Sequence, residues 1–89
     1  MSIQAVTVYT KPNCSQCEMT KRWLKARDVD YELADITEPG NLEAAKSLGY
    51  TAAPVVIVAQ GDPTTEQHWA GFQPDKLNEH VALTPGGAA

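Results

Sequence analysis

The spacing of apolar positions changes period several times along the chain, and each change marks an element. Ile3, Val6, Val8 and Tyr9 form a dense β-branched and aromatic run, so Ile3 to Tyr9 is predicted as a strand. Its density suits a strand covered on both faces. Lys11-Pro12-Asn13 reads as a turn, with Asn13 at the position of a helix cap. From Ser15 to Arg27 the period lengthens. Cys17, Thr20 and Leu24 fall at i, i+3 and i+7, one buried helical stripe, and Met19 and Trp23 pair beside it at i, i+4. Asp30 to Ile36 alternates again, with Tyr31, Leu33 and Ile36 apolar, which predicts a second strand.

Thr37-Glu38-Pro39-Gly40 reads as a turn before a short helix over Asn41 to Leu48, closed by Gly49 at the C′ position. After the loop Tyr50 to Ala53, Pro54 opens Val55-Val56-Ile57-Val58, the strongest strand signal in the chain. Gln60-Gly61-Asp62-Pro63 is a turn, and Thr64 to Trp69 a fourth strand paired back as a hairpin. Pro74 takes a first helical position, Leu77 and Val81 line the last helix, and Thr84 to Ala89 is expected as a frayed tail. The order is βαβαββα. A βαβ unit imposes a parallel strand pair with a right-handed crossover, and the hairpin adds antiparallel strands. The expectation is an α/β fold, a four-stranded mixed sheet flanked by three helices. Residues 1–83 form one domain and 84–89 a tail.

With 89 residues, two domains would each lack a core. The net charge of −4 argues against a nucleic-acid binder. Lys21, Arg22, Lys25 and Arg27 nevertheless gather four of the seven basic residues in one stretch. That stretch is either a solvated helix face or a docking patch for an acidic partner. No apolar run approaches the roughly 20 residues that span a bilayer. Met1-Ser2-Ile3-Gln4 runs straight into a strand pattern without a charged or hydrophobic leader, so a cytoplasmic protein is expected.

The chemistry concentrates in Cys14-Ser15-Gln16-Cys17, which follows the first strand and opens the first helix. Two cysteines this close cannot staple the fold, because the loop they close constrains little of the unfolded chain. In a cytosolic chain with a βαβ pattern, the spacing points to a redox pair. Cys14 lies at the positive end of a helix, near unsatisfied N–H groups that favour the thiolate and lower its pKa from about 8.5 toward neutral. Cys17, one turn on, can close a disulfide with it. Lys11 either adds positive potential or is a solvated loop lysine. Two small buried hydrophobes would be the bland account of the pair, but such a residue has no reason to cap a helix beside another cysteine. A zinc site needs about four ligands, and only His68, His80 and scattered carboxylates accompany the cysteines. No metal is therefore expected. His68 and His80 read as surface residues, Trp23 as half-exposed, Trp69 and Phe72 as packing residues on the bland account, and Pro54 as a proline tolerated before a strand at a sheet edge.

These pieces resemble the glutaredoxin-like NrdH-redoxins over nearly the whole chain. The matching segments are Tyr9-Thr10-Lys11-Pro12, Cys14-Ser15-Gln16-Cys17, Thr20-Lys21, Leu48-Gly49-Tyr50, Ala53-Pro54-Val55-Val56 and Trp69-Ala70-Gly71-Phe72-Gln73-Pro74. The resemblance implies a thioredoxin-like fold with Pro54 cis and facing the cysteines. It implies Cys14 as nucleophile and Cys17 as resolving thiol. It places Lys11, Pro12, Ser15 and Gln16 in the active-site loop, and Ala53, Pro54, Trp69, Gly71 and Phe72 in a flat apolar docking surface. It further implies a monomeric electron donor to the large subunit of a class Ib ribonucleotide reductase. Such a donor is recharged by thioredoxin reductase with NADPH and has no bound cofactor of its own.

The rivals are a glutathione-dependent glutaredoxin and a non-enzymatic redox-sensing or iron–sulfur module. Glutaredoxins proper carry Gly-Gly and then acidic residues after the fourth strand, whereas Gly71-Phe72-Gln73-Pro74 offers bulk and no carboxylate before Asp75. A charged tripeptide needs paired charges. The family segment usually reads Trp-Ser-Gly-Phe-Arg-Pro. Ala70 and Gln73 replace its Ser and Arg, so a thinner network tying this segment to the loop after the second helix is expected. Ser15 replaces a commoner Val or Met.

Overall fold

A computed structural model describes residues 4–59 and 66–81. The predicted start at Ile3, the turn Gln60-Gly61-Asp62-Pro63, the beginning of the fourth strand at Thr64 and the tail lie outside the described residues. The elements are β1 (Ala5–Thr10), α1 (Ser15–Ala26), β2 (Glu32–Asp35), α2 (Pro39–Ser47), β3 (Val55–Ala59), β4 (Gln67–Ala70) and α3 (Pro74–His80). The sheet order is β2-β1-β3-β4. β1 runs parallel to β2, with Val8 opposite Leu33, and antiparallel to β3, with Val8 opposite Val56. β3 and β4 are antiparallel, with Val56 opposite Trp69. This is the thioredoxin-like arrangement.

The alternation of side chains along the strands divides the core into two layers. On one face Val6, Val8, Val56, Val58 and Trp69 pack with Trp23 and Leu24 of α1 and Leu77 and Val81 at α3. On the other, Val55 packs with Ile36 and Ala45, and Tyr9, Leu42, Tyr50 and Ile57 close around them. The central strands are therefore covered on both sides, as the density of their apolar runs implies. Each fully buried Val or Leu contributes about 1.5–3 kcal/mol. Thr20 is buried at 0% exposure in the helical stripe, and its hydroxyl donates to the Gln16 carbonyl at 2.9 Å, so no polar group is orphaned there.

Several sequence expectations are corrected. The cap of α1 is Cys14, not Asn13: Cys14 has the extended backbone a cap requires (φ −115°, ψ 104°) and its sulfur accepts the Cys17 N–H. Asn13 instead turns left-handed (φ 58°), a conformation Asn tolerates, and so swings the chain from β1 into the helix. Pro39 and Gly40 belong to the first turn of α2 rather than to the preceding turn, because a proline at the first helical position forfeits no intrahelical bond. Trp23 is buried at 7%, and the Arg27 guanidinium lies 4.0 Å above its ring, while Met19 is the exposed member of the expected pair at 45%. Leu33 is 52% exposed, on β2 at the border of the sheet. Gly49 takes the expected position after α2, with φ 95°.

Candidate active site

Three chain segments converge at the start of α1. The first is the β1–α1 turn, where Lys11 and Pro12 are exposed and Cys14 is partly exposed, followed by exposed Ser15 and Gln16. Cys14 and Cys17 form a disulfide with a Cα separation of 5.2 Å. The two sulfurs are unequal: Cys17 is 0% exposed, beneath Cys14. The Cys17 N–H points at the Cys14 sulfur at 3.1 Å. A donor aimed at that atom, at the positive end of a twelve-residue helix, stabilises negative charge on it.

The second segment is the loop before β3. Its Ala53–Pro54 peptide is cis, and the Ala53 carbonyl oxygen lies 3.9 Å from the Cys14 sulfur. The third is the strap after β4. Gly71, with φ 85°, donates its N–H to the Pro54 carbonyl at 2.8 Å. The next N–H, that of Phe72, donates to Gln16 Oε1 at 3.0 Å. Gln73 Nε2 donates to the Ala70 carbonyl at 2.7 Å and closes the strap on itself. The strap is thus hydrogen-bonded to each of the other two segments, which meet each other at the Cys14 sulfur and the Ala53 carbonyl.

The residues of the expected docking surface do not all reach a surface. Trp69 is 3% exposed, because its parity in β4 points it into the α1/α3 layer, where its ring lies 5.8 Å from that of His80. Pro54 is fully buried as well. Ala53 and Phe72 are half-buried, and exposed Met19, one helical turn after exposed Ser15, adds apolar surface on α1. Nor is the network around the strap simply thinner. Gln73 bonds inside the strap, and Tyr50, in the loop after α2, reaches β4. Its hydroxyl lies 2.9 Å from His68 Nδ1 and donates to the His68 carbonyl at 3.3 Å. His68 is accordingly half-buried and paired rather than a surface residue. The Tyr50–His68 and Gln16–Phe72 pairs join positions 18 and 56 apart in sequence, and no local pattern signals either. Among the described residues, no group of three or more His, Cys, Asp or Glu side chains could hold a metal ion.

A cysteine pair held in this way matches a known family. The glutaredoxin family model matches residues 6–62. The glutaredoxin-like protein NrdH of Escherichia coli is 38% identical over 82% of this chain and 84% of its own length. The chain belongs to the glutaredoxin-like NrdH family. The NrdH protein of Lactococcus lactis is 36% identical to this redoxin over 81% of the chain and 93% of the relative. The solved structure of Escherichia coli NrdH-redoxin, a glutaredoxin-like protein with a thioredoxin-like activity profile, superposes with a TM-score of 0.72 at 33% identity. It covers 91% of this chain and 99% of that one. Family and geometry agree that this redoxin is a thiol–disulfide oxidoreductase working through Cys14 and Cys17. No described helix is long and apolar enough to cross a membrane.

Proposed function

We propose that the protein is the cytoplasmic electron donor to the large subunit of a class Ib ribonucleotide reductase, recharged by thioredoxin reductase with NADPH and carrying no bound cofactor. The observation that carries this reading is the inequality of the two sulfurs: Cys14 is reachable at the surface and Cys17 is sealed beneath it. Only Cys14 can meet a partner. Its thiolate attacks one sulfur of the partner disulfide, and the other partner sulfur leaves as a thiolate. The Cys17 thiolate then attacks the Cys14 sulfur and displaces the second partner thiolate. The partner gains two electrons, and the chain is left with the Cys14–Cys17 disulfide. Thioredoxin reductase passes two electrons from NADPH back to that disulfide by the reverse exchange.

The identity to NrdH proteins supports the choice of acceptor. The strap supports the choice of reductant. It presents Phe72 and Gln73 and carries no carboxylate before Asp75 to pair with the amine of glutathione. Half-buried Phe72 and Ala53, with Met19 nearby on α1, offer a protein-sized partner an apolar rim. The test is NADPH consumption with thioredoxin reductase and the oxidised ribonucleotide reductase subunit. Wild-type protein is expected to turn over, and Cys14→Ser to be inert. Turnover with glutathione and glutathione reductase, and none with thioredoxin reductase, would overturn the assignment.

A further inference from the structure

The loop before β3 is tied down at both ends. At its start the Tyr50 N–H donates to the Ala45 carbonyl of α2 at 3.0 Å. The Tyr50 hydroxyl reaches across to β4, where it lies 2.9 Å from His68 Nδ1 and donates to the His68 carbonyl at 3.3 Å. The two rings meet edge to face at 5.5 Å, and both residues are half-buried. At the other end the Pro54 carbonyl accepts the Gly71 N–H at 2.8 Å. Only Thr51, Ala52 and Ala53 stand between these ties, so fixing Tyr50 also restricts Ala53. The Ala53 carbonyl oxygen lies 3.9 Å from the Cys14 sulfur. In the dithiol, an oxygen at that place accepts the S–H and opposes the thiolate, whereas the Cys17 N–H at 3.1 Å and the helix end favour the thiolate.

We propose that Tyr50 and His68 are positioning residues for Cys14: their contact holds the Ala53 carbonyl against the sulfur and so restrains the ionisation of the thiol. This rests on Cys14 as the attacking thiol and not on which partner it serves. The loop Thr51 to Pro54 and the strap Gly71 to Gln73 carry no ionisable side chain, and the first carboxylate after the strap, Asp75, belongs to α3. The charged side chains nearest Cys14 in sequence are Lys11 in the turn and Glu18 in the first turn of α1, and Glu18 is paired with Lys21 at 2.6 Å. None of these touches Tyr50 or His68 in sequence, so a change confined to the contact alters the carbonyl and leaves those charges in place.

The test is the pH profile of alkylation of the pre-reduced protein by iodoacetamide, read by intact-protein mass spectrometry with no partner present. Cys17 is sealed from solvent, so the first alkylation reports Cys14. Tyr50→Phe keeps the ring and removes the hydroxyl. It is expected to move the midpoint about 0.4 pH unit toward acid, the low end of the worth of one hydrogen bond. His68→Asn keeps a side-chain partner for the hydroxyl without a charge, and is expected to hold the wild-type midpoint. The acid shift should recur when Tyr50→Phe is made on His68→Asn, where no imidazole charge can cause it. Leu42→Ala loosens the same core layer without removing the contact, and should leave the midpoint in place. An unmoved or alkaline midpoint in Tyr50→Phe refutes the proposal. So does a shift that vanishes in the double variant, or one that Leu42→Ala reproduces. Failure of the electron-donor assignment would leave these midpoints untouched, because neither reductase enters the assay.

Discussion

Gly71→Ala isolates the contact between the strap and the cysteine loop. Two costs meet at this position. The backbone has φ 85°, which for a residue with a Cβ costs about 1–2 kcal/mol. The new Cβ would also stand 3.3 Å from Gln16 Oε1, closer than ordinary contact, so Gln16 must retreat from Phe72 N–H and weaken a bond worth about 1 kcal/mol. Gly49 is the internal control, because its φ of 95° carries the first cost while nothing lies within 4 Å to impose the second. Thermal unfolding followed by circular dichroism should place Gly71→Ala about 4–8 °C below Gly49→Ala, the shift expected for 1 kcal/mol in a domain of this size. In a Gln16→Ala background the gap should close, since the displaced group is gone. Equal melting temperatures for the two single variants, or a gap that persists without Gln16, would refute the reasoning.

Cys17→Ser should leave Cys14 able to attack but nothing to resolve the product, so a mixed disulfide with an oxidised thiol probe should accumulate and appear as the corresponding mass gain in intact-protein mass spectrometry. Leu24, 0% exposed in the stripe of α1, should cost about 2–5 kcal/mol when cut to Ala, read as a fall in the urea midpoint at constant slope. Asp35 Oδ1 accepts from Thr37 N at 2.8 Å and Thr37 Oγ1 at 2.6 Å, and the side-chain bond, then the backbone bond, hold its carboxyl below the ordinary value of 3.8. Stability from this group is therefore complete above the unfolded value and drains away as pH falls through the lower folded one. Asp35→Asn should flatten that part of the acid limb below about pH 4 in urea midpoints taken from pH 2 to 6.

Local periodicity made most of this fold legible. The order of elements, the stripe of Cys17, Thr20 and Leu24, and the fully buried Val55-Val56 run follow from spacing and β-branching alone, because they are properties of neighbours in sequence. The cysteine pair was legible for the same reason. What escaped depends on distant segments. Leu33 alternates like a buried strand residue, yet β2 lies at the border of the sheet. Trp69 looks like a rim aromatic, yet its parity in β4 sends it inward. The cap of α1 passed from Asn13 to Cys14 because the turn needed a left-handed residue first. The bond between Gln16 and Phe72 spans 56 positions and exists only once the sheet has brought β4 beside the start of α1.

The exposure of Leu33 has a meaning for how these molecules meet one another at high concentration. Its strand is only four residues long and lies at the sheet's outer border, the place where a second copy can add a strand of its own. Glu32 precedes the leucine and Asp35 ends the strand, both exposed. A neighbour approaching strand to strand brings its own carboxylates against these before the apolar side chains can touch. The border therefore guards itself, and neutralising both acids would expose a sticky seam.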